Sequence, residues 1–111
     1  MPVNDSFDYA SFTIAVTAPL SRGNVTINST DTNDPPLISP NWLLSTTDQE
    51  VAIQGFKVAR DIAKMSGITV GPEFFPGPSV QTDAQILEVL KEITGPIHHA
   101  VATCTINPFE D

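Results

Sequence analysis

The sequence predicts an α+β domain in which a small antiparallel sheet packs with two helices. Three observations carry this reading. Apolar residues alternate at period two over residues 12–18 and again over 24–28, as half-buried strands require. They recur instead at three and four residues beyond Thr47 and beyond Asp83, each time behind a helix-start signature. Proline- and glycine-rich stretches separate these segments and mark connections.

The first strand is expected where Phe12, Ile14, Val16 and Ala18 alternate with smaller or polar residues. Pro19-Leu20-Ser21-Arg22-Gly23 then turns the chain, and Val25 and Ile27 alternate again. The two segments predict an antiparallel hairpin over about residues 11–28, with a loop longer than the tight two-residue type. Asp34-Pro35-Pro36 and Ser39-Pro40 make residues 31–40 an extended loop, because each proline fixes its own φ and pushes the preceding residue out of the α region. A helix over about residues 47–66 starts on the capping box Thr47-Asp48-Gln49-Glu50 and continues through Ala52, Gly55, Phe56, Ala59, Ile62 and Ala63 to a stop at Gly67. Acids sit in its first turn and Lys57, Arg60 and Lys64 in its later half, as the helix dipole favours. A second helix over about residues 83–94 follows the box Thr82-Asp83-Ala84-Gln85, with Ile86, Leu87, Leu90 and Ile93 at helical spacing until Gly95-Pro96. The last apolar stretch, 97–105, is short and extended. With no internal repeat or low-complexity tract, residues 1–111 read as a single domain.

Composition narrows the partners. The 111 residues are 41% hydrophobic and 16% charged, with a formal charge of −8. The five bases are scattered rather than clustered on one face, so neither nucleic acid nor an anionic membrane surface is an expected partner. No apolar run approaches the roughly 20 residues that span a bilayer. Met1-Pro2-Val3-Asn4-Asp5 lacks the basic and apolar regions of a signal peptide, so a cytoplasmic location is expected. Cys104 is the single cysteine, which excludes an internal disulfide and a multi-cysteine zinc site. Asn4-Asp5-Ser6, Asn24-Val25-Thr26 and Asn28-Ser29-Thr30 match the glycosylation sequon, a short pattern that is frequent by chance and without meaning in a cytosolic chain.

The six glycines form neither a G-x-G-x-x-G nor a Walker spacing, so the chain by itself holds no dinucleotide in that way. Glu88 and Glu92, four residues apart, read as a solvated helix face. His98-His99 is the local cluster that titrates near neutral pH, placed just after a helix stop. On an extended backbone the two rings diverge, so one of them serves a given site. The same divergence, with Cys104 as the only additional soft ligand, argues against zinc. Nothing in Ala102-Thr103-Cys104-Thr105 would depress the thiol pKa, so Cys104 reads as a small buried apolar group.

Four stretches, in order, resemble a known family: Ala18-Pro19-Leu20-Ser21-Arg22-Gly23-Asn24-Val25, Asp34-Pro35-Pro36-Leu37-Ile38-Ser39-Pro40-Asn41-Trp42-Leu43, Gly71-Pro72-Glu73-Phe74-Phe75-Pro76-Gly77-Pro78 and His99-Ala100-Val101-Ala102-Thr103-Cys104. Together they are similar to the C-terminal substrate domain of glucose-methanol-choline (GMC) oxidoreductases, above all fungal ones. The resemblance implies a flavoenzyme fold in which a separate FAD domain carries the glycine fingerprint and this segment roofs the substrate pocket. It also implies that His99, at the histidine of the family's H-x-x-x-T-C stretch, takes the hydroxyl proton of an alcohol. His98 then falls where the family has an aromatic residue, and it is expected to line the pocket with Phe74 and Phe75. The family continues Lys-Met-Gly after the cysteine and later supplies a second catalytic histidine or asparagine. This chain instead reads Thr105-Ile106-Asn107-Pro108-Phe109-Glu110-Asp111, and so looks like a truncated relative without an FAD domain.

Two functions follow. In the first, the chain is a free-standing enzyme that performs non-redox acid/base chemistry (cyclase, dehydratase, isomerase or lyase) on a small oxygenated natural product, with His99 as acid/base and no cofactor of its own. Family members related to versicolorin cyclisation and hydroxynitrile cleavage make such chemistry plausible. In the second, it is a non-catalytic or docking fragment of an alcohol oxidase or dehydrogenase, with FAD supplied by a partner chain. In either case Phe12, Ile14, Val16, Phe74 and Phe75 belong to faces that the FAD domain would cover, and a homodimer is the expected substitute.

Overall fold

A computed structural model describes residues 6–98. Two short strands, β1 (Asn24–Thr26) and β2 (Leu37–Ser39), precede two helices, α1 (Thr46–Ser66) and α2 (Asp83–Ile93). The strands pair antiparallel, with Asn24 opposite Ser39, Val25 opposite Ile38 and Thr26 opposite Leu37. This is the α+β arrangement the sequence predicts, but the hairpin over residues 11–28 is not the one that forms. Residues 12–18 contain no strand, and the partner of 24–26 comes from the segment read as loop.

The physical reason is that period-two alternation reports where side chains point, not what the backbone bonds to. Residues 12–18 are extended across α1, with Ile14 and Val16 half-buried against the core while Thr13, Ala15 and Thr17 face out. The crossing is close, since a Cβ added at Gly55 would lie 2.8 Å from Ile14 Cγ2. A mid-helix glycine costs about 0.5–1 kcal/mol relative to alanine, and here its missing methyl makes room for the crossing chain. Pro36 and Pro40 flank β2 rather than interrupt it, so Leu37, Ile38 and Ser39 keep the amides that an edge strand needs. Gly23 sits where the two strands meet; a Cβ there would collide with the carbonyl oxygens of Ser39 and Pro40.

Both helices lie within one residue of the expected 47–66 and 83–94. The start of α1 differs in mechanism. Its N-cap is Ser45, without a side-chain capping bond, and the expected box on Thr47 does not form because the helix already begins at Thr46, which places Thr47 inside its first turn. Gly67 ends α1 in the left-handed conformation, at φ 68°. α2 carries the full expected box, with the Thr82 hydroxyl accepting from Gln85 N and the Gln85 side chain accepting from Thr82 N. At its other end the Thr94 amide donates to Leu90 O over 2.9 Å.

The core is one small cluster. Leu43, Ala52, Ile53, Phe56, Ile86 and Leu90 are buried, with Ile14, Val16, Val80 and Leu87 packed partly against them. Much apolar surface stays outside. On α1, Val51, Val58, Ile62 and Met65 are all exposed; at 100° per residue they fall within about 60° of one another, roughly 150° around the helix from Phe56 and its buried neighbours. The helix therefore has a second apolar stripe in addition to the one facing α2. Phe12, Phe74 and Phe75 are exposed as well. The radius of gyration is 18.3 Å, against about 13 Å for a compact chain of this length.

Ile86 is 1% exposed at the centre of this cluster. Replacing Ile86 with Ala should lower the unfolding free energy by about 2–5 kcal/mol, read as a fall in the urea midpoint, whereas Met65→Ala on the exposed stripe should leave it within about 0.5 kcal/mol.

Candidate functional site

The segment matching the third stretch of the resemblance, residues 71–78, is held against α1 by one arginine. Arg60 Nε and Nη2 donate to the two carboxylate oxygens of Glu73 at 3.0 and 2.7 Å. Its Nη1 donates to Val80 O at 2.6 Å and its Nη2 to Gly77 O at 3.3 Å. The guanidinium also lies 4.5 Å from the centre of the Phe56 ring, an attraction between cation and ring face. One side chain thus fixes the loop at three residues while covering the core. The bidentate fork with Glu73 depends on the planar geometry of arginine, which lysine cannot reproduce. Lys57 adds an ion pair to Asp83 at 2.7 Å, worth at most about 1 kcal/mol at its exposure.

The loop presents Phe74 and Phe75 outward. Both are largely exposed, with a cis peptide between Phe75 and Pro76. Tyr9 meets the Phe74 ring edge-on, with the centroids 4.9 Å apart. The two expected pocket phenylalanines therefore stand side by side on a rigidly anchored loop, with Tyr9 as an unforeseen companion. His98 lies past the end of α2, exposed and in the left-handed region at φ 60°, a conformation that costs a non-glycine residue energy. Among the described residues, no hydrogen bond or ion pair links it to the loop. His99, the expected acid/base, lies outside the described residues. Open hollows of about 270 and 290 Å³ occur beside Ile27–Pro36 and beside Lys57, Arg60, Lys64 and Gln81. Neither is lined by Phe74, Phe75 or His98.

A second anchor lies at the opposite end of α1. Asp48, 3% exposed, accepts from Leu20 N at 2.8 Å and Ser21 N at 2.7 Å, and also from the Ser21 hydroxyl. That hydroxyl accepts in turn from Ser45 N at 2.9 Å. The first matched stretch is tied in this way to the N-terminus of α1. The Leu20 amide and the Ser21 hydroxyl hold the Asp48 carboxyl below the usual carboxylate range, against the opposing effect of desolvation. Arg60, Glu73 and Asp48 were not singled out as partners from the sequence. The available signal was positional, because Arg60 shares the helical face of Phe56 and Ala63, where an unpaired charge would be costly.

FAD, the cofactor the resemblance implies, does not fit the described residues. A pyrophosphate cradle needs free amides at a helix N-terminus behind a glycine turn. The first turn of α2 is closed by its own capping box, and the entry to α1 is occupied by the Ser45, Ser21 and Asp48 network. The left-handed glycines, Gly67 and Gly77, do not immediately precede either helix.

Comparison with known proteins agrees with this architecture. The family described as GMC oxidoreductase, through its C-terminal domain, matches residues 19–109. The chain belongs to the GMC oxidoreductase family. Among curated proteins it is 42% identical over 97% of its length to patulin synthase of Penicillium expansum, and 40% identical over its full length to versicolorin B synthase of Aspergillus parasiticus. It is also 44% identical, over 97% of its length, to the oxidoreductase cicC of Emericella nidulans. The chain spans 18% of the length of each of these relatives.

Two predictions arise from the anchors. Arg60→Lys should cost about 2 kcal/mol of stability by losing charge-assisted bonds, with faster amide hydrogen exchange over residues 73–80; unchanged exchange there would show that the fork does not hold the loop. Asp48 is depressed in the folded state, so its stabilising contribution is complete above the unfolded carboxylate pKa of about 3.9 and is lost as pH falls through the lower folded value. Asp48→Asn should accordingly melt several degrees lower at pH 7, and the gap from the parent should narrow below about pH 4, as thermal melts across that range would record.

Proposed function

We propose that this chain supplies the substrate-domain wall of a GMC-type active site, and that the rest of the site comes from a flavin-bearing portion packed on its exposed apolar faces. The observation that carries this reading is the one-sided arrangement of Phe74, Phe75 and Tyr9. These rings stand on a firmly anchored loop yet are open to solvent, beside a helix with a second apolar stripe. Apolar surface left exposed on this scale, on the loop and on α1, marks sites of interaction. In this reading the phenylalanines contact a small oxygenated natural product, of the kind named in the relatives patulin synthase and versicolorin B synthase. His99, at the family's histidine position, accepts the proton from a substrate hydroxyl in its neutral form and returns it as imidazolium. Positioned proton transfer of this kind contributes about 10²–10⁴-fold to rate.

A second reading keeps the same histidine without redox chemistry. The match to versicolorin B synthase favours it. The chain would then act as a cyclase, isomerase or lyase, with a second copy covering the apolar stripe.

Purification separates the two. The first reading expects the chain to be recovered in a yellow complex with a flavoprotein portion and to turn over its substrate only with an oxidant. A colourless homodimer that converts substrate without an oxidant supports the second, and a stable monomer at micromolar concentration contradicts both forms of cover. In either setting His99→Ala should lower kcat by about 10²–10⁴-fold with the melting temperature retained; full activity in that variant would remove His99 from the mechanism.

A further inference from the structure

The bonds made by the Arg60 guanidinium to the loop end on the Glu73 carboxylate and on the carbonyl oxygens of Gly77 and Val80. They hold the chain on either side of Phe74, and none of them reaches its ring. A side chain on a fixed backbone still has rotamers to choose from, and Phe74 is 62% exposed. Its ring pairs with that of Tyr9: the centroids lie 4.9 Å apart and the planes cross at 61°, the edge-to-face arrangement that aromatic pairs prefer. Tyr9 in turn belongs to the segment that crosses α1. Five residues further on, Ile14 lies over Gly55, so near that an added Cβ would stand 2.8 Å from its Cγ2. Ile14 and Val16 both pack against the core, which ties the segment to the helix.

We propose that Tyr9 is a positioning residue for Phe74, and that the segment from Tyr9 to Val16, seated on Gly55, carries the position of α1 to the ring that meets substrate. This role rests on the reading that Phe74 contacts substrate. Tyr9 acts through Phe74: its ring selects one orientation of the Phe74 ring before a ligand arrives, so the ligand loses no affinity in ordering that side chain. The part of a ligand that gains most is a flat ring, which stacks on the exposed Phe74. Gly55 enters because its missing methyl lets Ile14, and with it the segment that bears Tyr9, lie this close to the helix.

The test follows binding of benzyl alcohol, a flat ring bearing a hydroxyl, to the full chain by NMR of labelled phenylalanine ring protons, with the Phe74 resonance assigned by its loss in Phe74→Leu. In the parent that resonance should be displaced by the ring current of Tyr9 and should shift further on titration. Tyr9→Leu should remove the displacement and weaken binding about two- to tenfold, with the melting temperature retained; Tyr9→Phe, which keeps the ring, should restore both. Gly55→Ala, which on helix propensity alone would raise the melting temperature, should move the Phe74 resonance and weaken binding as Tyr9→Leu does. Binding that falls in Phe74→Leu but is unchanged in Tyr9→Leu overturns the role of Tyr9 and leaves Phe74 as a substrate contact. Binding unchanged in Phe74→Leu, or absent from the parent, overturns both. A Phe74 resonance unmoved in Gly55→Ala overturns the link through Ile14.

Discussion

The structure depends first on a single buried carboxylate. Asp48 stands in the first turn of α1, where two physical demands meet: the helix dipole favours a negative charge, and the turn at Leu20 and Ser21 has amides in need of an acceptor. By answering both, Asp48 fixes where the chain leading into β1 joins the helix. The Ser21 hydroxyl then passes the connection to Ser45, the residue that starts α1. Residues separated by 28 positions in sequence are thereby locked into one corner, and the crossing of Ile14 over Gly55 lies on the same side of the chain.

From that corner the helix carries position to the other end of the molecule. Phe56 fills the core and Arg60, one turn on, lies over its ring and reaches the loop that presents Phe74 and Phe75. A loop held in place needs rigid support, and the support here comes from a charged side chain rather than from more hydrophobic packing. The small core explains why. With six buried apolar residues among those described, there is little hydrophobic cluster to spare for the loop, so hydrogen bonds of a guanidinium to carboxylate and carbonyl oxygens take over.

The uncovered apolar surface and the family membership describe the same situation from two sides. The chain matches the C-terminal domain of GMC oxidoreductases and spans 18% of the length of the curated relatives it matches; the proposed cover for its apolar faces rests on both. The second stripe on α1 and the outward phenylalanines are the exposed faces in question.

Local chemistry was legible from the residues alone. Thr82 and Gln85 specify their own capping box, and Gly67 specifies the end of α1, because the partners in each case lie within a few residues. The apolar periodicities identified both helices, and the ordered motifs identified the family. What tertiary structure decided was the set of partners distant in sequence. Alternation over residues 12–18 predicts a strand, yet the chain there lies across a helix; Thr47 has the spacing of a capping box, yet α1 begins at Thr46 with Ser45 at its cap, tied to the Ser21 hydroxyl. Nor did spacing reveal that Arg60 and Glu73, thirteen residues apart, share a fork. Periodicity records the environment a side chain enters, and short-range signatures record bonds a segment can make with itself. The choice among distant partners is made only when the chain closes on itself and each buried polar group must find an acceptor or donor.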